Sequence, residues 1–509
     1  MNHQNESTGV LVIYTGGTIG SIPKNSKEPN SPLVPLSKED VDKKENPLFS
    51  LIESYDSKFQ QIVLGNQSIR LELKSLDKPI DSSNVDPAVW TEITSIIKKE
   101  YENYEGFVIL HGTDTMTYTT SVLSFMIDNL NKPIIVTGSQ KPIGETRSDA
   151  LQNLITAIEI AAAKSLNKPV IPEVCLFFRN KILRGCRSIK YSASNYEAFR
   201  SPNLPELGTA DEYIVINESI IRKGSTQSLQ ILGGYSPKVI YLKVAPGMDL
   251  DLIETIVNSE KIEGIILLTY GTGNAPSLPG FLNAIEKSIS QGKIIVNVSQ
   301  CMSGEVELGL YDVSAGLLSR GVISGLDMTS EAAYTKLCHL LGTHQDNPSI
   351  IPDLMQINLR GEQSKSIFNL HFGSGSMDVN QKSLTLHPIK DMVDAVPSMY
   401  NSNFIDKAFL RIMGISEDEE TDFQSARGKV YIDMENATSK SAENIDNYLG
   451  KFDKRWEIQE GKENIFFTIT NQAKKFIDNR HHISITIINE NGRKLRWEKM
   501  EIGIFINSY

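Results

Sequence analysis

Apolar runs without polar alternation recur through the first two-fifths of the chain, and segments of helical period separate them. These runs lie at residues 10–16, 106–112, 132–139 and 173–178. Continuous apolar strands that alternate with helices are typical of a parallel sheet covered by helices on both faces. One intervening helix is marked by Asp86, a good N-cap, and Pro87, a good first helical residue. The pattern predicts an α/β fold whose ligands bind at the carboxyl ends of the strands.

A second alternating block runs from about residue 238 to residue 362. Its apolar runs lie at residues 239–244, 264–271 and 293–299, and helix-period segments separate them. This block predicts a second, smaller α/β domain with a parallel sheet. A chain of 509 residues is too long for one ordinary hydrophobic core. We therefore expect α/β domains at 1–205 and 206–362, followed by a third domain at 363–509.

The hydrophobic pattern changes in residues 363–509, where apolar and polar residues alternate in short runs. Asn491-Gly492 lies between two such runs and is a strong signal for a two-residue hairpin. Brief helix-like pieces interrupt the pattern at 403–413 and 416–422. We expect a separate antiparallel β-rich module. Either a structural accessory role or a ligand-binding role is compatible with its sequence.

Composition and charge exclude several classes of function. The chain is 40% hydrophobic and 22% charged, which is typical of a soluble globular protein. Its formal net charge of -11 argues against a nucleic-acid partner, since phosphate backbones bind basic surfaces. No apolar run is long enough to span a bilayer, and the first residues do not resemble a signal peptide. We therefore expect neither a nucleic-acid nor a membrane partner.

The cysteines and histidines indicate the compartment and the type of chemistry. Four cysteines are scattered through the chain, which favours reduced thiols and a cytoplasmic location. None of the eight histidines falls in an HExxH or Cys/His metal-binding spacing. We expect no metal and no other cofactor.

The first apolar run ends in the glycine turn "YTGGTIGS" at residues 14–21. This turn is a poor phosphate cradle, because Thr15 stands where a GxGxxG motif has its first glycine and no Walker sequence is present. A tight turn at a strand end instead holds two hydroxyls at fixed positions. Either Thr15 or Thr18 is a candidate nucleophile, although the loop by itself is also explained as a structural turn.

A second threonine loop, "HGTDTM" at residues 111–116, also follows an apolar run and opens a helix-period segment. Thr113 offers a hydroxyl, and backbone amides at a helix start can stabilise an oxyanion. Asp114 is suited to a substrate ammonium group, although alone it is also explained as a helix N-cap. We expect His111 to be a satisfied core or hinge histidine.

Two threonine loops at adjacent strand ends, the second followed by an aspartate, resemble the signatures of the asparaginases. The chain is similar to type I (cytoplasmic) L-asparaginases from about residue 10 to residue 362. Further motifs occur in the same order: "DSSN" from 81, "KPIIVTGSQKPIGETRSDALQNL" from 132, "LRGCRSIK" from 183, "YGTGNAP" from 270 and "NVSQCMSGEVELGLY" from 297. This resemblance implies two α/β domains of the asparaginase type, here followed by a β-rich module.

The resemblance also implies a reaction, the hydrolysis of L-asparagine to L-aspartate and ammonia. Thr18 would attack the side-chain amide carbon and form an acyl-enzyme that water then hydrolyses. Thr113 and Lys190 would form a second catalytic group, because a lysine beside a hydroxyl can act as a base or proton relay. Asp114 would bind the α-ammonium group of the substrate.

The remaining substrate contacts implied by the resemblance come from two motifs. Asp81, Ser82 and Ser83 would receive the α-amino and α-carboxylate groups. Asn274 would reach the pocket of a neighbouring subunit, so the resemblance implies a homo-oligomer, either a dimer or a tetramer. From sequence alone, "DSSN" is also explained as a helix start and Lys190 as a surface lysine.

Two features depart from the family pattern and keep alternatives open. The loop after the first motif has no tyrosine between Tyr14 and Tyr55, and Leu33 or a neighbour occupies the approximate place of the family's activating tyrosine. The module after residue 362 is a larger addition. The alternatives are hydrolysis of a larger amide selected by this module, or a non-catalytic protein that binds amino acids.

Overall fold

The structure is a computed structural model. It describes residues 8–25, 31–43, 47–58, 60–64, 67–165, 168–308, 312–389, 402–415, 427–438, 440–443, 445–453, 463–479, 483–490 and 494–508. The α-helices are Lys38–Val41, Pro87–Glu100, Met116–Met126, Ala150–Ala162, Leu250–Val257, Pro279–Ser290, Asp312–Ser319, Ser330–Thr343, Ile351–Gln356 and Thr470–Asn479. Single 3₁₀ turns are Thr18–Gly20, Ser82–Asn84, Tyr101–Asn103, Gly185–Arg187, Pro348–Ile350 and Ser402–Phe404.

A ten-stranded mixed sheet forms the first α/β unit. Its order is Ile214–Ile216, Gly208–Ala210, Lys181–Arg184, Val174–Phe178, Ile134–Thr137, Gly106–Leu110, Thr8–Gly16, Gln67–Ile80, Gln61–Leu64 and Tyr55–Asp56. The five central strands, from Val174–Phe178 to Gln67–Ile80, are parallel, and the strands on either side are antiparallel. The predicted parallel sheet is therefore the centre of a larger mixed sheet.

The continuous apolar runs of the central strands fill two cores, one on each face of the sheet. Val10 and Val12 pack into one core, whereas Leu11 and Ile13 pack into the other. Successive side chains of a strand point to opposite faces, so a strand buried on both faces has no polar alternation. The helix predicted after Asp86 is confirmed: the Asp86 carboxylate accepts hydrogen bonds from the amides of Ala88 and Val89 at 2.9 and 3.2 Å.

The second α/β unit is a four-stranded parallel sheet. Its strands are, in order, Val239–Lys243, Gly264–Thr269, Ile294–Ser299 and Ile323–Ser324. Its parallel strands agree with the prediction, and helices cover both of its faces. Short two-stranded pairs are Ser21–Pro23 with Leu33–Pro35, Lys164–Ser165 with Lys168–Pro169, Ile189–Lys190 with Phe199–Arg200, and Gln230–Ile231 with Ile127–Asp128.

The predicted boundary after residue 205 falls too early. Gly208–Ala210 and Ile214–Ile216 pair with the edge of the ten-stranded sheet, and Gln230–Ile231 pairs with Ile127–Asp128. These residues therefore belong with the first unit, because a short edge strand is stabilised by the sheet that it extends. The division of the chain into three domains otherwise stays a prediction.

The β-rich module contains two four-stranded antiparallel sheets. One has the order Lys365–Met377, Leu495–Asn507, Ile405–Ile415 and Glu463–Thr468, and the other Ser383–Leu386, Ile485–Asn489, Arg427–Ile432 and Tyr448–Asp453. Residues of both sheets and of the helix Thr470–Asn479 share one apolar core. The described part of the module is thus a small β-sandwich to which the helix Thr470–Asn479 is added.

Three expectations for this module need correction or lie outside the described residues. The piece at 403–413 is not helical, because Ile405–Ile415 is a strand whose alternate residues Ala408 and Leu410 fill the sandwich core. The hairpin prediction is wrong as well: the strands on either side of Asn491-Gly492 belong to different sheets, so the chain crosses from one sheet to the other. Residues 491–493 and 416–422 themselves lie outside the described residues.

The module contacts the second α/β unit through the outer face of its first sheet. We call this contact the seam. The side of the seam that belongs to the second α/β unit consists of Glu305, Glu307, Leu326 and Asp353. The side that belongs to the module consists of Lys365, Ile367, His371, Lys407, Arg411, Glu501 and Phe505. Lys365 lies 2.8 Å from Glu305, and Lys407 forms an ion pair with Glu307. Leu326 packs against Ile367 and Phe505. The seam is therefore mainly charged, with a small apolar centre.

One arginine joins all three parts of the chain. Arg187 is 1% exposed and bonds to the Asp327 carboxylate at 2.9 Å. It also donates to the carbonyl of Glu362 at 2.9 Å and to the hydroxyl of Ser364 at 2.5 Å. Because a buried guanidinium requires polar partners, this residue couples the first unit to the second and to the start of the module.

Candidate active site

The turn after the first strand is held by close backbone approach. Gly16 and Gly17 have φ angles of 114° and 82°, a region that favours glycine. A Cβ atom at Gly16 would lie 2.1 Å from the carbonyl oxygen of Ile80, and one at Gly17 would lie 2.3 Å from the amide nitrogen of Gly112. The turn therefore packs directly against the ends of both neighbouring parallel strands.

This geometry separates the two candidate hydroxyls of the turn. Thr15 is buried, and its hydroxyl donates to the carbonyl of Leu110 at 2.9 Å, so it fixes the turn. Thr18 begins a 3₁₀ turn and is half-buried. Its hydroxyl makes no hydrogen bond to any residue that the structure describes. Of the two threonines, Thr18 is the one whose hydroxyl is available to a ligand.

The second threonine loop is fixed by a buried histidine. His111 lies next to Gly112, with Nδ1 at 2.7 Å from the Gly112 carbonyl, so Nδ1 carries the proton and donates. Its Nε2 then accepts from the hydroxyl of Thr119 at 3.0 Å, and Thr119 accepts from the indole of Trp90 at 2.9 Å. Burial lowers the His111 pKa to about 4, which keeps the ring neutral. His111 is thus a satisfied core histidine, as expected.

Lys190 joins the two residues that follow Gly112. Its ammonium group donates to the hydroxyl of Thr113 at 2.9 Å and lies 2.6 Å from the carboxylate of Asp114. Thr113 is 7% exposed, whereas the side chain of Asp114 is 65% exposed. Lys190 is 77 residues distant from Thr113 in sequence, so the fold creates this group. A cation beside a hydroxyl and a carboxylate is suited to proton transfer and to substrate binding.

The "DSSN" turn lies beside the same glycines. A Cβ atom at Gly112 would lie 2.5 Å from the hydroxyl oxygen of Ser82. The carboxylate of Asp81 accepts from the hydroxyl and the amide of Ser83 at 2.7 and 2.9 Å. These two hydrogen bonds hold the Asp81 pKa below its usual range, so the group is a carboxylate at neutral pH. Ser82 is buried, whereas Asp81 and Ser83 are exposed.

Asn274 lies elsewhere, in a turn of the second α/β unit. Its backbone forms a two-way bridge with Tyr270, at 2.9 and 2.8 Å. Its side-chain Oδ1 is buried and accepts no hydrogen bond from any described residue. None of its hydrogen bonds reaches Thr18, Thr113 or Lys190 within the described part of the chain. The structure therefore brings together the other predicted residues but not Asn274.

The sequence did not identify two residues that support this site. The hydroxyl of Thr115 donates to the carbonyl of Ser82 at 2.7 Å and joins the second loop to the "DSSN" turn. Thr119 completes the chain of hydrogen bonds from Trp90 to His111. Both residues lie within the "GTDTMTYT" segment, where the density of threonines was the one available signal.

The segment after Thr18 carries the departure from the family pattern. Ser21–Pro23 pairs with Leu33–Pro35, and residues 26–30 lie outside the described residues. Leu33 is 47% exposed. Tyr14 is buried below the turn, where its hydroxyl donates to the carbonyl of Gly20 and accepts from the amide of Leu36. Burial raises the pKa of Tyr14 above its ordinary value, so this residue is a structural phenol.

The described residues also bear on metal binding and on membrane insertion. Across the described ranges, no group of three or more His, Cys, Asp or Glu side chains is placed to hold a metal ion. Among the described helices, none combines the length and the apolar character that a membrane span requires.

Two family models match the chain. The model "Asparaginase, N-terminal" matches residues 9–222, and the model "Glutaminase/Asparaginase C-terminal domain" matches residues 238–355. Both matches end before the β-rich module. The two α/β units and the motifs that carry the candidate site all lie inside the matched residues.

Individual relatives extend this likeness. L-asparaginase 1 of Escherichia coli K12 is 43% identical over 285 residues, which cover 56% of this chain and 82% of that protein. The mouse 60 kDa lysophospholipase is 36% identical over 368 residues, covering 70% of this chain and 62% of that protein. The crystal structure of L-asparaginase I from Vibrio cholerae has a TM-score of 0.60 and 36% identity, and covers 70% of this chain and 99% of that one.

Proposed function

Because this chain belongs to the asparaginase family, we propose that it hydrolyses L-asparagine to L-aspartate and ammonia. The observation that carries this proposal is the ammonium group of Lys190, which contacts both Thr113 and Asp114. These residues lie next to the glycine turn that presents the unused hydroxyl of Thr18. In this proposal, a few neighbouring loops would provide a nucleophile, a proton-transfer group and a carboxylate for an ammonium group.

In the proposed reaction, Oγ1 of Thr18 attacks the carbon of the side-chain amide. The bond from oxygen to carbon forms, the C–N bond breaks, and the proton from the hydroxyl leaves with the nitrogen as ammonia. Water then attacks the acyl carbon, which releases L-aspartate and returns a proton to Thr18. Thr113 and Lys190 would carry the proton in one or both steps, since their hydrogen bond is already formed.

The substrate would be oriented by its α-ammonium and α-carboxylate groups. Asp114 and Asp81 are carboxylates at the edge of the site and are suited to the ammonium group. The hydroxyl of Ser82 is suited to the carboxylate, and that of Ser83 would join it by turning its proton away from Asp81. Binding both α-groups beside Thr18 would select a free amino acid and exclude an amide inside a polypeptide chain.

Substrate class is tested by ammonia release from L-asparagine, L-glutamine and an asparagine inside a blocked tripeptide. We expect L-asparagine to have the highest kcat/KM of the three. Fatty-acid release from a lysophospholipid belongs in the same experiment, because one relative is a lysophospholipase. Faster turnover of the blocked peptide or the lipid would refute the proposed substrate.

The identity of the nucleophile needs a separate measurement. We expect mass spectrometry of enzyme quenched with acid during turnover to find an aspartyl adduct on the peptide that contains Thr18. An adduct on Thr113 instead would exchange the roles of the two threonines. Lys190→Met is expected to lower kcat, since Thr113 would lose its hydrogen-bond partner.

We also propose that the protein is a homo-oligomer whose sites are completed by Asn274 of a neighbouring subunit. Asn274 supports this proposal because it lies in the motif "YGTGNAP", inside the matched C-terminal family domain, and its backbone hydrogen bonds go to Tyr270 and not to the site residues of its own chain. Light scattering at assay concentration is expected to give a dimer or tetramer. A fully active monomer would contradict the proposal.

A further inference from the structure

A cavity of about 150 Å³ lies in the first α/β unit, and its described lining includes no residue of the candidate active site. Its walls come from the helix Met116–Met126, the strands Ile127–Asp128 and Val174–Phe178, and the loop at 222–225. Arg360 reaches the cavity from the segment that leads to the module. The cavity therefore lies where distant stretches of the chain meet, and it has room for a small polyatomic ion.

The lining of this cavity carries an excess of positive charge. Two of its side chains are carboxylates and four are cations: Asp128, Glu173, Arg184, Arg222, Lys223 and Arg360. The excess is therefore two positive charges. Charges of one sign around a cleft attract ions of the opposite sign, because the low-dielectric walls focus their field. The lining thus favours an anion that carries two negative charges.

Both carboxylates of the lining already have arginine partners. Glu173 accepts from Nε and Nη2 of Arg184 at 2.6 and 3.1 Å, and from the backbone amide of Arg222 at 2.7 Å. Asp128 accepts from Nη2 of Arg360 at 2.8 Å. Neither carboxylate forms an ion pair with the side chain of Arg222 or Lys223. The charges of these last two side chains are therefore the ones that remain unbalanced within the described lining.

The side chains of Arg222 and Lys223 keep donors that a ligand can reach. Nη2 of Arg222 donates to the carbonyl of Leu359 at 3.1 Å, whereas its Nε and Nη1 donate to no described residue. Arg222 is half-buried, and neither of these two nitrogens is shut off from solvent. The ammonium group of Lys223 has no partner among the described residues, and this residue is exposed. An anion can therefore contact both side chains without breaking an existing ion pair.

Two like charges lie close together beside this cavity. Burial and the charge of Arg222 lower the pKa of Arg360 below its ordinary value, whereas Asp128 raises it. Hydrogen bonds hold Arg360 in place, since its guanidinium donates to the carbonyls of Ser124 and Leu359 at 3.0 and 3.1 Å. Arginine stays protonated in proteins, so loss of a proton does not relieve the repulsion. A bound anion relieves it.

We propose that this cavity binds a doubly charged phosphate group, as inorganic phosphate or as a phosphate monoester. The phosphate oxygens accept from the guanidinium N–H groups of Arg222 that have no other partner and from the ammonium group of Lys223. The bound group lies between the loop at 222–225 and Arg360, so it strengthens the contact of the first α/β unit with the segment that leads to the module. This site and its occupant are independent of the reaction proposed above.

The test is isothermal titration of the full chain with inorganic phosphate, glycerol 3-phosphate and acetate, at constant ionic strength and a pH of about 8. Glycerol 3-phosphate represents the monoesters, and acetate is an anion with a single charge. Arg222→Met and Lys223→Met each remove donors of the cavity. Lys98→Met is the matched control, because Lys98 is also an exposed lysine of the first unit without a described partner, but does not line the cavity.

We expect at least one of the two phosphate compounds to bind at least about tenfold more tightly than acetate, and the tighter of the two identifies the source of the phosphate group. Arg222→Met should weaken this binding by about tenfold or more and Lys223→Met by about threefold or more, whereas Lys98→Met should leave it unchanged.

Three results would overturn the proposal: no binding of either phosphate compound, equally tight binding of acetate, or phosphate affinity unchanged in both cavity variants. Lys223 is exposed, so its replacement tests the site without disturbing the fold even if Arg222→Met fails to fold.

Discussion

The candidate active site at the strand ends (the strand-end site) and the seam both gather polar side chains from distant parts of the chain, but different forces hold them. At the strand ends, Gly16, Gly17 and Gly112 let three backbone segments touch, and hydrogen bonds within and between the loops add to this contact. In the seam, Glu501 lies in a row of charges on neighbouring antiparallel strands. The first site is held by steric fit, and the second by electrostatic pairing.

This difference determines what each region tolerates. Atoms added at a point of backbone contact must displace the main chain. A single substitution at the strand-end site should therefore cause a large loss of stability. Ion pairs respond to pH and to the loss of single partners. The stability that the seam contributes should therefore decrease in small steps. Catalysis needs reacting groups in a fixed geometry, and the backbone contacts of the strand-end site would provide it. The four predictions below test this contrast.

The largest expected effect is on catalysis. Thr18→Ala and Thr113→Ala should each lower kcat by about a thousandfold or more, because each removes a hydroxyl to which we assign bond formation or proton transfer. Thr18→Ser keeps the hydroxyl and serves as the control. Steady-state ammonia release measures the change, and thermal unfolding checks that the fold is intact. Near-normal turnover by Thr18→Ala would show that another residue is the nucleophile.

The next effect concerns stability at the strand ends. Gly17→Ala should lower the free energy of unfolding by about 3 kcal/mol, because the new Cβ strains the left-handed backbone and meets that of Gly112. Gly144→Ala is the control, since no atom lies within 4 Å of the added Cβ. Urea titration measures both variants. If the two substitutions cost the same, steric fit does not hold this site.

A smaller effect distinguishes the seam by its response to pH. Asp353 and Glu501 raise the pKa of His371 to about 9, above its ordinary value of 6.5. The stability that His371 contributes is therefore complete below about pH 6.5 and is lost as the pH rises towards 9.

We expect unfolding free energy to fall more steeply over this interval in the unchanged protein than in His371→Gln. The two profiles are compared because Lys499 and Arg411 also face this group and are present in both proteins. Parallel profiles would show that the histidine does not stabilise the seam.

The smallest expected effect follows removal of the module. A chain that ends at Ser364 keeps the hydroxyl that pairs with Arg187. Its kcat/KM on L-asparagine should stay within about threefold of that of the full chain, since no hydrogen bond joins the module to Thr18, Thr113 or Lys190 among the described residues. Light scattering checks that the shortened protein assembles in the same way. Loss of most turnover by a correctly assembled protein would contradict this expectation.

The strand-end site could be predicted because its residues lie in short motifs next to buried apolar runs. Thr18 and Thr113 each follow a strand of the parallel centre directly, so local pattern and fold position coincide. The contact of Lys190 with Thr113 could not be worked out from spacing. It was implied by the family resemblance alone, and the assignment of roles remains a proposal.

The module was predicted less well, for a physical reason. Its antiparallel character follows from the period-2 alternation, but strand partners do not. Leu495–Asn507 pairs with Lys365–Met377 and with Ile405–Ile415, both far away in sequence, and not with the strand that precedes it. A local turn signal such as Asn491-Gly492 cannot indicate which sheet of a sandwich the next strand enters. The row of charges in the seam depends on that same long-range register, so it has no local signature.

The position of Arg187 has a consequence for synthesis on the ribosome. Its partner Ser364 emerges 177 residues later. At typical elongation rates this interval lasts roughly ten to thirty-five seconds. We expect the guanidinium to remain hydrated and the first unit to stay open near residues 185–187 during this time. Arrested nascent chains that expose residues up to 340 should therefore be cut by protease near this segment, whereas chains that expose residues beyond 364 should resist. Completion of the first unit thus depends on a residue that is translated almost at the end of the asparaginase region.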